Sequence, residues 1–198
     1  MPVSLVLASS SPRRREILTS LGLAFTVAHA EIDETPLAGE SARDAALRLG
    51  REKAAKVAAD DPDALVIGAD TLVTLNGGIL GKPDDEEHAR EMLALLSGKE
   101  HEVVTGVAAQ MVDEGFCESC LSRSTVRFKN LTPADIDRYI ATGEPLGKAG
   151  AYAIQGTGST LIERFTGSHS NIVGLPVTEL LRLLVGFGVE RLAWKDPA

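Results

Sequence analysis

Short apolar runs alternate along this chain with stretches of helical periodicity, and their order predicts an α/β fold. Runs rich in valine and isoleucine indicate buried strands, whereas apolar residues spaced three or four apart indicate amphipathic helices. The predicted strands cover residues 3–8, 23–28, 65–73, 101–112, 116–128 and 161–166. The first predicted helix begins at Pro12, and the other predicted helices cover residues 42–59, 84–96, 132–140 and 176–187. No repeat or linker interrupts this order. We therefore expect residues 1–198 to form a single α/β domain, with two closely packed lobes as the alternative, around a long mixed sheet flanked by helices.

The strand predicted at residues 65–73 ends on an acid, which makes it the first candidate for chemistry. A carboxylate at this point, Asp70, would lie on the rim of a rigid sheet, where α/β proteins place catalytic groups. The sequence Asn-Gly-Gly at residues 76–78 tolerates the positive φ of a tight turn. This turn predicts a hairpin that brings Lys82 back toward Asp70. In the alternative interpretation, Asp70 only closes a strand and Lys82 is an ordinary surface lysine.

A serine-rich turn before the first helix has the composition of an anion site. Residues 9–15 read Ser-Ser-Ser-Pro-Arg-Arg-Arg. Ser11 suits the N-cap and Pro12 the first helical position, where a backbone N–H would be unpaired in any case. Free backbone N–H groups then meet the hydroxyls of Ser9 and Ser11 at the helix N-terminus, which is the positive end of the helix dipole. Arginines oppose that dipole, so their presence here favours a bound phosphate; a solvated basic face is the alternative.

Composition and charge exclude some classes of function. The net charge of −8 argues against a non-specific nucleic-acid surface, which needs a dominant basic field. No apolar run approaches the ~20 residues of a membrane span, and the N-terminus lacks the layout of a signal peptide. Cys117 and Cys120 form a CxxC motif with no second pair to complete a zinc site. We interpret them as incidental thiols in the reducing cytoplasm, with a redox pair as the alternative.

Seven short motifs together resemble the Maf family. In chain order they are LASSSPRR at 7–14, REKA at 51–54, GADT at 68–71, GKP at 81–83, SGKEH at 97–101, KAGAY at 148–152 and NIVGLP at 171–176. They run in the family's order from about residue 5 to residue 187. The resemblance implies an elongated α/β fold related to the inosine triphosphatases. It also implies a nucleoside triphosphate pyrophosphatase that releases a monophosphate and pyrophosphate, needs a divalent metal (Mg²⁺ or Mn²⁺) and forms homodimers.

The tract at residues 148–156 is similar to the family branch that acts on dTTP and UTP, a substrate group that extends to modified uridine triphosphates. In that branch the positions of Arg13, Thr71 and Gln155 are associated with specificity, and that of Asp70 with the proton acceptor. The chain departs from the usual tract by an alanine at position 153, where glycine is the rule. The alternatives are the branch for 7-methyl-GTP and a nucleotide-binding regulator of cell division without catalysis.

Several residues suit this chemistry on physical grounds. Hydrolysis of a phosphoric anhydride needs charge neutralisation, positioning and an activated water. The cations expected to neutralise the triphosphate are Arg13, Arg14, Lys53 and Lys82, with Lys82 on the leaving pyrophosphate. A free aspartate is a weak base at neutral pH, so Asp70 is expected to act beside a metal that activates the water. Glu34 is the predicted second carboxylate, with Asp33 as its rival, because Mg²⁺ binds one or two carboxylates plus substrate phosphates.

Base recognition is expected at Gln155. Its amide oxygen can accept from N3–H of uracil or thymine while its NH₂ group donates to O4. A flipped amide would suit cytosine equally, so discrimination requires a group that locks it, whereas purines would be excluded by pocket size. Residues 167–171 are predicted to be a polar loop. His169 is expected to be an ordinary loop residue, and the roles of His169 and Asn171 toward substrate stay open.

Overall fold

The computed structural model describes residues 2–194, so Met1 and the last four residues of the predicted tail lie outside the described part. Its strands are β1 Leu5–Ala8, β2 Thr26–Ala28, β3 Leu65–Leu75, β4 Gly78–Leu80, β5 Glu100–Met111, β6 Phe116–Phe128 and β7 Ile162–Thr166. Its helices are α1 Pro12–Ser20, α2 Ala42–Ala58, α3 Glu86–Leu96, α4 Pro133–Ile140, α5 His169–Val173 and α6 Val177–Phe187. Within the described range, no helix has the length and apolar character needed to cross a bilayer.

The seven described strands join one sheet, which confirms the predicted mixed sheet, and β4 is a strand beyond the six predicted ones. Its order is β2-β1-β3-β5-β6-β7, with β4 paired to β3 beside this path. β1 runs parallel to β2 and β3, and the other pairs are antiparallel. The turn between β3 and β4 is the predicted one, with positive φ at Asn76 and Gly77.

Helices cover both faces of the sheet, and β3 is buried between them. Side chains alternate along a strand, so Ile67 packs among residues of α1 and α6, whereas Val66 packs under α2. Toward the other end of β3, Val73 joins the cluster that includes α3 and α4. The odd-numbered face of β3 therefore carries two separate helical layers, and the even-numbered face carries α2.

Two predicted elements differ from the structure. The second strand was expected at residues 23–28, but β2 is shorter, and Leu23 instead forms an isolated bridge with Trp194. The polar loop expected at residues 167–171 contains the start of α5. Ser168 caps this helix, because its hydroxyl accepts a hydrogen bond from the Asn171 backbone N–H.

The two cysteines lie on β6 and are both free thiols. Residues three apart in a strand point to opposite faces of the sheet. Cys120 packs against the α1 and α6 layer, whereas Cys117 is exposed. The strand therefore holds the two sulfur atoms apart, and they cannot bridge each other without a local rearrangement.

Helix α2 packs on the sheet through backbone contacts at three glycines. A Cβ atom on Gly106 of β5 would lie 2.2 Å from the Ala46 carbonyl oxygen, and one on Gly68 of β3 would lie 2.3 Å from the Gly50 oxygen. Gly50 of α2 is also close to the sheet, because a Cβ atom there would lie 2.9 Å from the Gly106 oxygen. No side chain separates the helix from the strands here, so the height of α2 above the sheet is fixed.

We predict that Gly106→Ala lowers the free energy of unfolding by about 1–3 kcal/mol, because the added methyl group forces α2 away from the sheet. Gly186→Ala in α6 is the matched control, since a Cβ there meets no atom of residues 2–194 within 4 Å. The control is expected to be neutral or stabilising by up to ~1 kcal/mol, because alanine favours a helix. Urea unfolding of both variants measures the difference, and equal effects would contradict this account of the packing.

Candidate active site

A cleft of about 330 Å³ lies between the N-terminus of α1, the middle of β3 and residues 147–155. Its volume is in the range of small-molecule sites. The charged side chains that line it are Arg13, Arg14, Glu34, Lys53, Asp70, Lys82 and Lys148. Cations outnumber carboxylates, which gives the cleft a positive lining in a protein of negative net charge. Such a lining favours a small anionic ligand.

Four side chains in the cleft alternate in charge and contact one another in a row, which we call the acid–lysine chain. Lys53 Nζ lies 2.6 Å from Asp70 Oδ1 and 2.7 Å from Glu34 Oε1. Lys82 Nζ lies 2.9 Å from Glu34 Oε2. Asp70 and Lys53 are only 7% and 6% exposed, so their pair is shielded from water. The Lys82 end of the chain is open to solvent.

The fold explains why these four residues meet. Asp70 occupies an even position of β3 and therefore faces α2, whose buried side includes Lys53. The glycine contacts described above set the distance between the two elements. Glu34 comes from the segment after β2, and Lys82 follows β4. The turn was expected to bring Lys82 back toward Asp70. Lys82 lines the same cleft but contacts Glu34, and Lys53 lies between Glu34 and Asp70.

The two lysines control the charge of Glu34. Burial alone would raise the pKa of its carboxyl, but hydrogen bonds from Lys53 and Lys82 lower that pKa from 4.5 to about 2. Glu34 therefore stays ionised throughout the range in which the protein would work. An ionised carboxylate beside an ionised ammonium group keeps the acid–lysine chain close to neutral.

Arg14 joins α1 to β3 and α5. Its Nε donates to the Gly174 carbonyl oxygen at 2.7 Å, Nη1 to Ser9 Oγ at 3.2 Å and Nη2 to Thr71 Oγ1 at 3.1 Å. Burial lowers its pKa. The Ser11 hydroxyl accepts from the Arg14 backbone N–H, which confirms the predicted N-cap. Arg14 lines the cleft as predicted, yet each guanidinium nitrogen also binds the protein, so it holds Ser9 and Thr71 in place.

Arg13 differs from its neighbour because it has no hydrogen-bond partner among residues 2–194. It is half-buried at the wall of the cleft, and burial lowers its pKa while the nearby Tyr139 and Glu144 act in the opposite direction. Lys148 lines the same wall, and burial and then Arg13 lower its pKa. These two cations are available to an incoming anion. Lys148 was not among the predicted site residues, although the motif at 148–152 contains it.

Gln155 is exposed and lines the cleft together with Tyr152, Ala153 and Ile154. Its side-chain amide makes no hydrogen bond to the described residues, so it is available to a ligand. Ser10, His29 and Tyr152 also line the cleft and were missed as site residues. Tyr152 could have been noticed, because it is the aromatic residue that ends the motif at 148–152.

His169 and Asn171 lie outside the cleft lining. His169 is exposed beside Phe165. Asn171 is fully buried, and its Nδ2 donates to the Val103 carbonyl oxygen and to Ser124 Oγ. The buried amide therefore fastens α5 to β5 and β6, and the segment that follows it, residues 172–174, forms part of the cleft wall.

The carboxylates of the cleft fit a divalent cation that is shared with a phosphate ligand. Among the described residues, no three His, Cys, Asp or Glu side chains group as a site built from protein alone would require. Mg²⁺ needs only one or two carboxylates when phosphate oxygens complete its shell. Glu34 and Asp70 both contact Lys53 Nζ, and the second oxygen of Asp70 accepts no hydrogen bond from residues 2–194. The rival residue, Asp33, accepts from the Thr35 N–H and does not line the cleft.

We predict that Lys82→Met raises the pKa of Glu34 from about 2 toward 4.5, since one of the two stabilising hydrogen bonds is lost. A lowered pKa stabilises the fold above pH 4.5, and this contribution disappears as the pH falls toward 2. The free-energy effect is small because the Glu34 side chain is 42% exposed. Carboxyl NMR titration measures the shift, with Lys99→Met at an exposed, distant site as control. An unchanged Glu34 titration in Lys82→Met would contradict the assignment.

Comparison with known proteins identifies the family of the chain. Residues 4–187 match the family described as Maf-like protein. A protein of Anaeromyxobacter dehalogenans is 49% identical over the whole of both chains. Another, of Myxococcus xanthus, is 50% identical over 96% of this chain and 95% of the relative, and one of Moorella thermoacetica is 50% identical over 94% and 96%. All three relatives are named dTTP/UTP pyrophosphatase. The chain belongs to the family of Maf-like proteins.

Proposed function

We propose that this protein hydrolyses dTTP and UTP to the nucleoside monophosphate and pyrophosphate. The observation that carries the proposal is the acid–lysine chain, which lies in one cleft with the capped N-terminus of α1 and the free cation Arg13. This arrangement supports an anion site beside paired carboxylates. A protein that only binds polyanions has no use for such carboxylates unless a metal intervenes. The names of the relatives, at about half identity over nearly their full length, support the choice of substrates.

The triphosphate is held by the positive wall of the cleft. Backbone N–H groups and hydroxyls at the start of α1 face the phosphates, with Arg13 and Lys148 beside them. Arg14 keeps Ser9 and Thr71 oriented toward the ligand through the bonds described above. Lys82, at the open end of the acid–lysine chain, stabilises the charge that develops on the departing pyrophosphate.

Asp70 is the proposed proton acceptor. Water attacks the α-phosphorus, the bond from that atom to the oxygen bridging the α and β phosphates breaks, and the water proton passes to Asp70. Lys53 orients the carboxylate through its hydrogen bond to Oδ1. Glu34 and Asp70 would hold a divalent cation, Mg²⁺ or Mn²⁺, which when bound supplies charge neutralisation and a more acidic water.

The Gln155 amide, which makes no hydrogen bond within the described part of the chain, reads the edge of uracil or thymine in the manner expected from the sequence. The homodimer and the cytoplasmic location stay predictions that follow from the resemblance and from the reduced thiols. Light scattering of the purified protein would measure whether it forms a homodimer.

We predict metal-dependent release of pyrophosphate from dTTP and UTP, and a loss of about 10²–10⁴-fold in kcat for Asp70→Asn, because the proton acceptor is removed. The assay uses a panel of nucleoside triphosphates with Mg²⁺, Mn²⁺ or EDTA. Asp60→Asn, at an exposed position outside the cleft, is the matched control and keeps wild-type activity.

Other outcomes of the same panel would replace the proposal. Turnover confined to 7-methyl-GTP would assign the chain to the other branch. Tight nucleotide binding without turnover would indicate a regulator. Full activity of Asp70→Asn would remove Asp70 from the mechanism and leave the reaction itself standing.

A further inference from the structure

The loop formed by residues 153–158, here called the Gln155 loop, is tied at both ends to one pair of side chains. The Ala153 N–H donates to the Tyr139 hydroxyl at 3.1 Å. The Thr157 and Gly158 N–H groups donate to the two oxygens of Glu144, at 3.0 and 3.2 Å. The Tyr139 hydroxyl in turn donates to Glu144 Oε1 at 3.2 Å. Gln155 lies between the two tied ends.

The loop fits closely around this pair. A Cβ on Gly158 would lie 2.3 Å from the Ala153 carbonyl oxygen and 2.7 Å from the Tyr139 hydroxyl oxygen. Gly156 has a φ of +65°, which favours glycine, and a Cβ there would lie 2.9 Å from Glu144. The loop therefore has little room to rearrange while both partners are present.

The pair that holds the loop rests on the core rather than on the cleft. Tyr139 is 2% exposed and packs in the cluster of α3 and α4, and burial raises its pKa, so the hydroxyl keeps its proton. The same cluster contains Tyr152, which is bonded to His101 Nε2 at 2.8 Å. Neither Tyr139 nor Glu144 lines the cleft. Their hydrogen bonds act on a ligand through the backbone that they hold, and Glu144 also acts on the cleft cation Arg13 through its charge.

We propose that Glu144 and Tyr139 are positioning residues that fix the Gln155 loop as a rigid wall and so restrict the cleft to pyrimidine bases. The inference rests on the proposed function, because it concerns the base that this site accepts. A purine is larger than a pyrimidine and must displace the wall to enter. Loosening the wall therefore admits purines, whereas the buried Lys53–Asp70 pair of the acid–lysine chain, which lies on α2 and β3, stays in place.

The experiment compares kcat/KM for dTTP and dGTP, two substrates with the same sugar, in wild type, Glu144→Ala and Tyr139→Phe. Taking the ratio within one preparation cancels the fraction of active enzyme. We expect the ratio to fall about tenfold or more in both variants, because the pocket loses its size limit. Tyr139→Phe leaves the charge near Arg13 unchanged, so a fall in the ratio that both variants share cannot come from a change in charge. Glu91→Ala, an exposed glutamate of α3, is the matched control.

Each outcome decides between the two proposals. A wild type that prefers dTTP, with an unchanged ratio in both variants, overturns the inference alone. An equal loss on both nucleotides also overturns it, because that result indicates a merely structural role. A wild type without dTTP hydrolysis overturns the proposed function and the inference with it. If Glu144→Ala fails to fold, Tyr139→Phe, which removes one oxygen atom, carries the test.

Discussion

The ion pair between Lys53 and Asp70 is the contact on which the rest of the site depends. Both side chains are almost entirely buried, so each would be costly to desolvate alone, and only close geometry and further hydrogen bonds offset that cost. Breaking such a buried pair by removing one partner costs about 3–5 kcal/mol, since an uncompensated charge remains. Glu34 extends the pair toward solvent, and Lys82 ends it at the open side. The charged side chains of the acid–lysine chain therefore run from a buried ion pair to the solvent.

The buried ion pair can form because α2 lies directly on the strands. Lys53 can reach Asp70 at 2.6 Å only at the present height and register of the helix, and glycines on the helix and both strands set that height. The packing of the fold and the arrangement of the reactive groups thus share one constraint. A side chain inserted between the two layers would disturb both together.

Local patterns in the sequence predict much of this structure. Alternating and continuous apolar runs indicate β3, β5 and β6, and Ser11 with Pro12 marks the start of α1. The partner of Asp70 could not be predicted, because it depends on how α2 crosses a strand distant in sequence. For the same reason the contact between Lys82 and Glu34 could not be predicted. The short helix α5 was missed because five residues give too little periodicity, although a serine cap precedes it.

The role assigned to Glu144 has no sequence signal of its own. Its main partners are backbone N–H groups, which every residue except proline possesses, and they lie 13 and 14 positions away. Side-chain chemistry can be read from residue types, but a carboxylate that organises a loop backbone is recognised only when the loop is seen.

The two halves of the cleft belong to different hydrophobic clusters. The reactive floor lies against α2 and β3, whereas the Gln155 loop is held by the cluster of α3 and α4. The two halves meet at β3, where Asp70 and Val73 lie on opposite faces of the strand, so a mutation in the cluster of α3 and α4 can reshape the wall and leave Asp70 in place. A protein divided in this way can diverge in the nucleotides that it clears while it inherits an unchanged reaction, which makes its substrate range the part of the molecule most open to evolution and to engineering.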